Sequence, residues 1–69
     1  MKHVVIRAKF IGQNLSLGYV NGKFYDLVLK AYIGGGINIH RHSDGGGACD
    51  YTSIFKFLEN WDDITSIKD

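Results

Sequence analysis

Leu17-Gly18-Tyr19-Val20-Asn21-Gly22-Lys23-Phe24-Tyr25-Asp26-Leu27-Val28-Leu29-Lys30 is the stretch whose reading decides the fold. An Asn-Gly pair between two runs of β-type residues is the strongest short-range hairpin signal. A type I′ turn needs positive φ at both central positions, and these two residues tolerate it best. The reading therefore joins residues 17–20, the end of a short strand or irregular arm over residues 15–20, to a returning strand at residues 23–31. Successive side chains of a strand point to opposite faces. Tyr25, Leu27 and Leu29 then share one face, and Phe24, Asp26, Val28 and Lys30 the other.

The same period of two runs through Lys2 to Phe10, with Val4, Ile6, Ala8 and Phe10 inward and His3, Val5, Arg7 and Lys9 outward. That pattern marks a half-buried strand. Gly34-Gly35-Gly36 makes the next turn, and Ile37 to His42 alternates again with Ile37 and Ile39 inward. Ser43-Asp44-Gly45-Gly46-Gly47 is a loop, and Ala48 to Tyr51 a short strand. The period then changes: Ile54, Phe57, Leu58 and Trp61 fall at i, i+3, i+4 and i+7, one face of a helix. Thr52 is its expected N-cap and Asn60 its terminator. Ile64 to Ile67 is expected as a final strand. The chain has no proline, so no strand is demoted by a missing backbone donor.

Sixty-nine residues make one domain, residues 1–69, that buries only about 60% of the surface of its unfolded chain. Little core is left for a catalytic pocket, and self-association would help such a domain. The single cysteine, Cys49, excludes an internal disulfide, whereas small secreted domains usually carry several. No apolar run approaches the roughly 18 residues of a membrane span, and residues 1–7 do not read as a leader. A reducing cytosol is the expected address, with no membrane. Net charge is +1, but it is unevenly spread. Residues 1–41 carry six basic residues against Asp26, giving +5; residues 42–69 carry two against six acids, giving −4. Such charge forms either two poles in the fold or a mixed surface.

Several phrases give the chain a resemblance. Ser16-Leu17-Gly18-Tyr19, Asn21-Gly22-Lys23-Phe24-Tyr25, Cys49-Asp50-Tyr51-Thr52-Ser53 and Phe57-Leu58-Glu59-Asn60-Trp61 are similar to those of short proteins encoded by tailed phages and prophages. The order of elements resembles an SH3-like barrel. The resemblance implies a mainly β fold: a small, five-stranded, partly open barrel with one short helix before the last strand. It also implies a phage protein working in the host cytoplasm.

Residues able to do chemistry are few. His40, His42 and Cys49 would suit zinc by type, but no Cys-x-x-Cys pair accompanies them, so no metal is expected; as a plain strand they are two solvent-facing imidazoles and a small buried thiol. The glycine triplets lack the Lys and Ser/Thr that open a helix after a phosphate-binding loop; the reading left to them is turns, or a lid in an oligomer that captures a small nucleotide signal. Cys49 or Ser43 beside histidines and acids has the letters of nucleophilic catalysis without a geometry to hold them. No cofactor and no enzymatic activity are expected.

Arg7, Lys9, Lys23, Lys30 and Arg41, interleaved with aromatics, would suit a nucleic acid. Phe24, Val28, Tyr32 and Phe55 are apolar residues that alternation or helical phase places outward, the mark of a protein-interaction surface. The sequence is therefore expected to encode a non-catalytic interaction module. Its partner is a host or phage protein, with a host defence component as one target class, and it is expected to form a homo-oligomer. A nucleic-acid-binding barrel is the second reading.

Overall fold

Lys2–Phe10 forms β1, and Phe24–Ala31 forms β2 antiparallel to it, with Val4 opposite Leu29, Ile6 opposite Leu27 and Lys9 opposite Phe24. The structure, a computed structural model, describes residues 2–67. Ile37–Arg41 is β3, Cys49–Tyr51 is β4, Ile54–Leu58 is α1 and Trp61–Ile67 is β5. All pairings are antiparallel, and the five strands make one sheet in the order β4-β3-β2-β1-β5. The fold is thus mainly β with one short helix before the last strand. Its sheet is not closed among the described residues: β4 and β5 are the edges, and α1 packs against both of them.

The alternation in β1, β2 and β3 delivers the core. Ile6, Ala8, Phe10, Leu27, Ile37 and Ile39 are buried on one face, and Tyr25 and Leu29 pack against them. Trp61 is the centre of an aromatic cluster, with its ring 5.0 Å from Phe10, 5.0 Å from Tyr19, 6.3 Å from Tyr25 and 6.2 Å from Phe57. Most of these pairs meet edge to face, the arrangement the ring quadrupoles favour. Buried polar tips are satisfied: the Trp61 indole N–H donates to the Tyr51 hydroxyl at 3.1 Å, and the Tyr19 hydroxyl donates to the Gly47 carbonyl at 3.0 Å.

The Asn21-Gly22 turn forms, but not as the expected hairpin. The Lys23 N–H donates to the Val20 carbonyl at 3.1 Å, and positive φ is confined to Gly22 at +87°, which fits a type II turn rather than I′. The partner of β2 is β1, not residues 17–20. Phe10 and Lys23 close the ladder through Phe10 N–H to Lys23 O, 2.9 Å, and Gly22 N–H to Phe10 O, 2.7 Å. Residues 11–23 are therefore one long arm between β1 and β2. Tyr19 turns back from it into the core, where its ring is buried against Phe10, Tyr25 and Trp61.

The helical stripe is also corrected. Phe57 is buried, but Ile54 and Leu58 lie outward and half exposed. Five residues are too few for a stripe reaching i+7, and Trp61 enters the core from β5 instead. The N-cap is Ser53, not Thr52: the Ser53 Oγ accepts the Lys56 N–H at 3.3 Å. β5 begins three residues before the expected Ile64. On β1, Val5 is buried on the outer face beside Val28, while Val4, expected inside, is half exposed.

Candidate interaction surface

Phe24 and Val28 stand on the outer face of β2, across from Lys9 and Val5. Phe24 is half exposed, with the Lys9 ammonium 6.0 Å from its ring centroid. Between them Asp26 accepts from the Arg7 guanidinium, 2.8 Å at Nε and 3.4 Å at Nη2. Arg7, Phe24 and Asp26 line a shallow depression of about 510 Å³. Val28 is only half exposed, since Val5 and His40 flank it in the ladder. The hydrogen bond and charge of Arg7 hold the Asp26 carboxyl below its ordinary range, and Asp26 in turn raises the Arg7 guanidinium.

Tyr32 lies at the other end of β2. Eight residues at roughly 3.3 Å each put it about 26 Å from Phe24, so one continuous patch does not contain both. Tyr32 opens the β2–β3 turn, where its carbonyl accepts the Gly35 N–H at 2.9 Å. Ile33 at the tip is fully exposed at 104%. A Cβ built on Gly36 would meet the Tyr51 carbonyl at 3.5 Å and the Tyr32 ring at 3.6 Å. The turn therefore sits against the end of β4, just where the chain passes to α1. Phe55, 76% exposed, is on that helix, which leads from the Tyr51 end of β4 to Trp61, paired with Phe10 at the opposite end of the sheet.

The candidate cations do not make a free basic face. Arg7 is paired with Asp26, Lys9 with Asp63 at 3.2 Å, and Arg41 with Asp44 at 3.0 Å. Among the described residues no ion pair involves Lys23 or Lys30. The charge imbalance along the chain is thus interleaved in space, as β1 runs between β2 and β5. Asp44 is held below its ordinary range by the Gly46 N–H, 2.8 Å, and then by Arg41.

Register separates the residues considered for metal or nucleophilic chemistry. Cys49 pairs with Ile39 and packs on the core side, and its neighbour His40 pairs with Val28 on the outer side. Among the described residues no group of three His, Cys, Asp or Glu side chains gathers. The second glycine triplet is not an open cradle. Gly47 has φ +66°, and a Cβ there would stand 2.5 Å from the Tyr19 hydroxyl, while one on Gly46 would collide with Arg41. Gly47 is required by its positive φ and by the buried Tyr19 ring, whereas at Gly46 only the flexible ends of Arg41 and Asp44 would have to move.

The chain matches no family model, no curated protein and no solved structure. No helix among the described residues is long and apolar enough to cross a membrane.

Sequence reasoning missed three features. Ile33 was readable as an apolar residue beside a glycine run. Leu15 and Leu17 were not: their φ values are +67° and +52°, and no local residue type announces a left-handed leucine. The Tyr51 hydroxyl, accepting from Trp61 and from Asn60 at 3.4 Å, joins residues that only the fold brings together.

Proposed function

We propose that this chain is a non-catalytic protein-interaction module that engages its partner through exposed apolar side chains, Tyr32 and Ile33 on the β2–β3 turn and Phe55 on α1. The observation that carries the reading is Ile33, fully exposed on a turn tip, with Phe55 76% exposed on the helix. Neither side chain has a part in the core. Large apolar groups left exposed without a part in the core mark surface that another protein dries. Cys49 and His40 on opposite sheet faces support the non-catalytic part.

The five-stranded order with a helix before β5, together with the resemblance to short tailed-phage and prophage proteins, supports an SH3-like, partly open barrel made by a phage. That reading places its work in the host cytoplasm and makes a host defence protein the favoured class of target. Nucleic acid is the weaker reading, because carboxylates already neutralise Arg7, Lys9 and Arg41 and few phosphate contacts remain. Capture of a nucleotide signal is weaker still, since Gly46 and Gly47 are filled by Arg41 and Tyr19.

The test is affinity capture from host lysate with the parent and an Ile33→Asp, Phe55→Ser double variant, followed by direct binding with the purified candidate. The variant is expected to keep the parent's thermal midpoint and to bind at least about tenfold more weakly. A parent that binds nothing directly, or a variant that binds as well, overturns the reading.

A further inference from the structure

Asn21 is the one asparagine of the chain that glycine follows; Asn14, Asn38 and Asn60 precede Leu15, Ile39 and Trp61. The pair that makes the turn is also a reactive pair. The main-chain nitrogen that follows an asparagine can lose its proton to hydroxide and bond to the side-chain amide carbon. The old carbon–nitrogen bond of the amide then breaks, ammonia leaves, and a five-membered succinimide remains. Water opens that ring on either side. One product is aspartate, and the other is isoaspartate, whose main chain runs through the side-chain carbons. Here the attacking atom is the nitrogen of Gly22, and no Cβ obstructs its approach. Leucine, isoleucine and tryptophan after the other three asparagines bring that obstruction.

Asn21 and Gly22 are both exposed, and a Cβ built on Gly22 would meet nothing within 4 Å. No neighbour therefore shields the pair. Hydrogen bonds restrain it instead. The Gly22 N–H donates to the Phe10 carbonyl at 2.7 Å, where it closes the end of the β1–β2 ladder. The Asn21 Nδ2 donates to the Gly12 carbonyl at 2.8 Å, and the Asn21 main-chain N–H donates to the Asn14 Oδ1 at 3.0 Å. Attack needs the Gly22 nitrogen to release its proton and turn toward the Asn21 side chain. Phe10 holds that proton in one place, and Gly12 holds the amide in another. All three bonds tie the turn to residues 10–14, so they are lost together when the arm of residues 11–23 unfolds from the end of β1.

We propose that Asn21 is a self-modification site gated by this arm. The closed arm keeps the amide intact, and the open arm converts it to aspartate or isoaspartate with release of ammonia. Conversion also opposes reclosure. An ionised carboxylate has no hydrogen to donate to the Gly12 carbonyl, so two acceptors face each other. Isoaspartate further adds a carbon to the main chain inside the turn that the Lys23 N–H closes on the Val20 carbonyl at 3.1 Å. Exposed loops open locally at low free-energy cost, and an irreversible step accumulates those openings with time. Asp44-Gly45 permits the same ring closure, but its carboxyl reacts only when un-ionised. The Gly46 N–H at 2.8 Å and Arg41 at 3.0 Å keep that carboxyl ionised. Isomerisation there regains the water it loses, so a mass gain is specific to the asparagine.

The test incubates the full chain in mildly alkaline buffer at physiological temperature, one sample folded and one unfolded in guanidinium chloride. Peptide mapping by mass spectrometry follows the amide-to-acid mass gain at residue 21. The folded sample is expected to react about tenfold or more slowly than the unfolded one. Asn14→Ala removes only an exposed acceptor. It is expected to keep the parent's circular dichroism and to speed the folded reaction about two- to tenfold. Asn21→Asp, which stands for the aspartate product, is expected to melt about 4–8 °C below the parent. Equal rates in the folded and unfolded samples overturn the proposal, as does an unfolded chain that gains no mass at residue 21. A folded Asn14→Ala variant that reacts at the parent's rate overturns the gate, and so does an Asn21→Asp variant as stable as the parent.

Discussion

Tyr19 is 2% exposed, donates to the Gly47 carbonyl, and lies 5.4 Å beneath the Arg41 guanidinium. Burial pushes its phenol up to about 12 from the ordinary 10.0. An acid whose folded value is raised favours the folded state while protonated. Its contribution is therefore whole below about pH 10 and is lost as the pH climbs through about 12. Denaturant titrations across that window should show a fall on the order of 2 kcal/mol, and Tyr19→Phe should flatten it while costing about 1 kcal/mol at neutral pH. Glycine positions offer a second contrast. Gly22 has φ +87° with nothing within 4 Å of a built Cβ, whereas Gly47 has φ +66° and the Tyr19 hydroxyl 2.5 Å away. Gly22→Ala should cost only the strain, about 1–2 kcal/mol, and Gly47→Ala several times the fraction unfolded of that variant, both read from urea midpoints.

At the scale of elements, α1 separates residues by burial within a single turn. Phe57 is 1% exposed and Phe55 76%. Phe57→Ala should lose about 3–5 kcal/mol and Phe55→Ala less than about 0.5 kcal/mol, with Ser53→Ala near 1 kcal/mol through its lost cap; equal losses at the two phenylalanines would refute the placement of the helix. These elements also show how far sequence reaches. Alternation in β1, β2 and β3 was legible, because period two with a polar face admits few other structures, and it named Ile6, Phe10, Leu27 and Ile39 as core. The turn at Gly22 was legible too, yet not the strand it serves. A turn is a local property, while the pairing of β2 with β1 is decided by which strand covers Leu27. Helical phase misplaced Ile54 and Leu58 because a helix of five residues has no second turn to enforce its stripe. At the candidate surface, Phe24, Tyr32 and Phe55 were legible as outward residues. The separation of Phe24 from Tyr32 along β2 was not, since a face is not a patch.

Across the whole molecule, charges that are segregated in the chain are mixed in space by strand order. The Arg7–Asp26, Lys9–Asp63 and Arg41–Asp44 pairs leave no basic stripe, so a gel shift with duplex or single-stranded DNA at low salt should show no retardation. Retardation abolished by Arg7→Ala with Lys9→Ala would instead favour the nucleic-acid reading. The central place of β1 has a kinetic side. It borders β2, whose Lys9–Phe24 pairing spans an arm, and β5, where Phe10 meets Trp61 across some fifty intervening positions. Bringing such distant segments together costs chain entropy before the contact returns anything. Docking of β5 is then the late event on the folding route. The chain's only indole rides on that strand, so the fluorescence of Trp61 is a clock for the final step rather than for the first collapse.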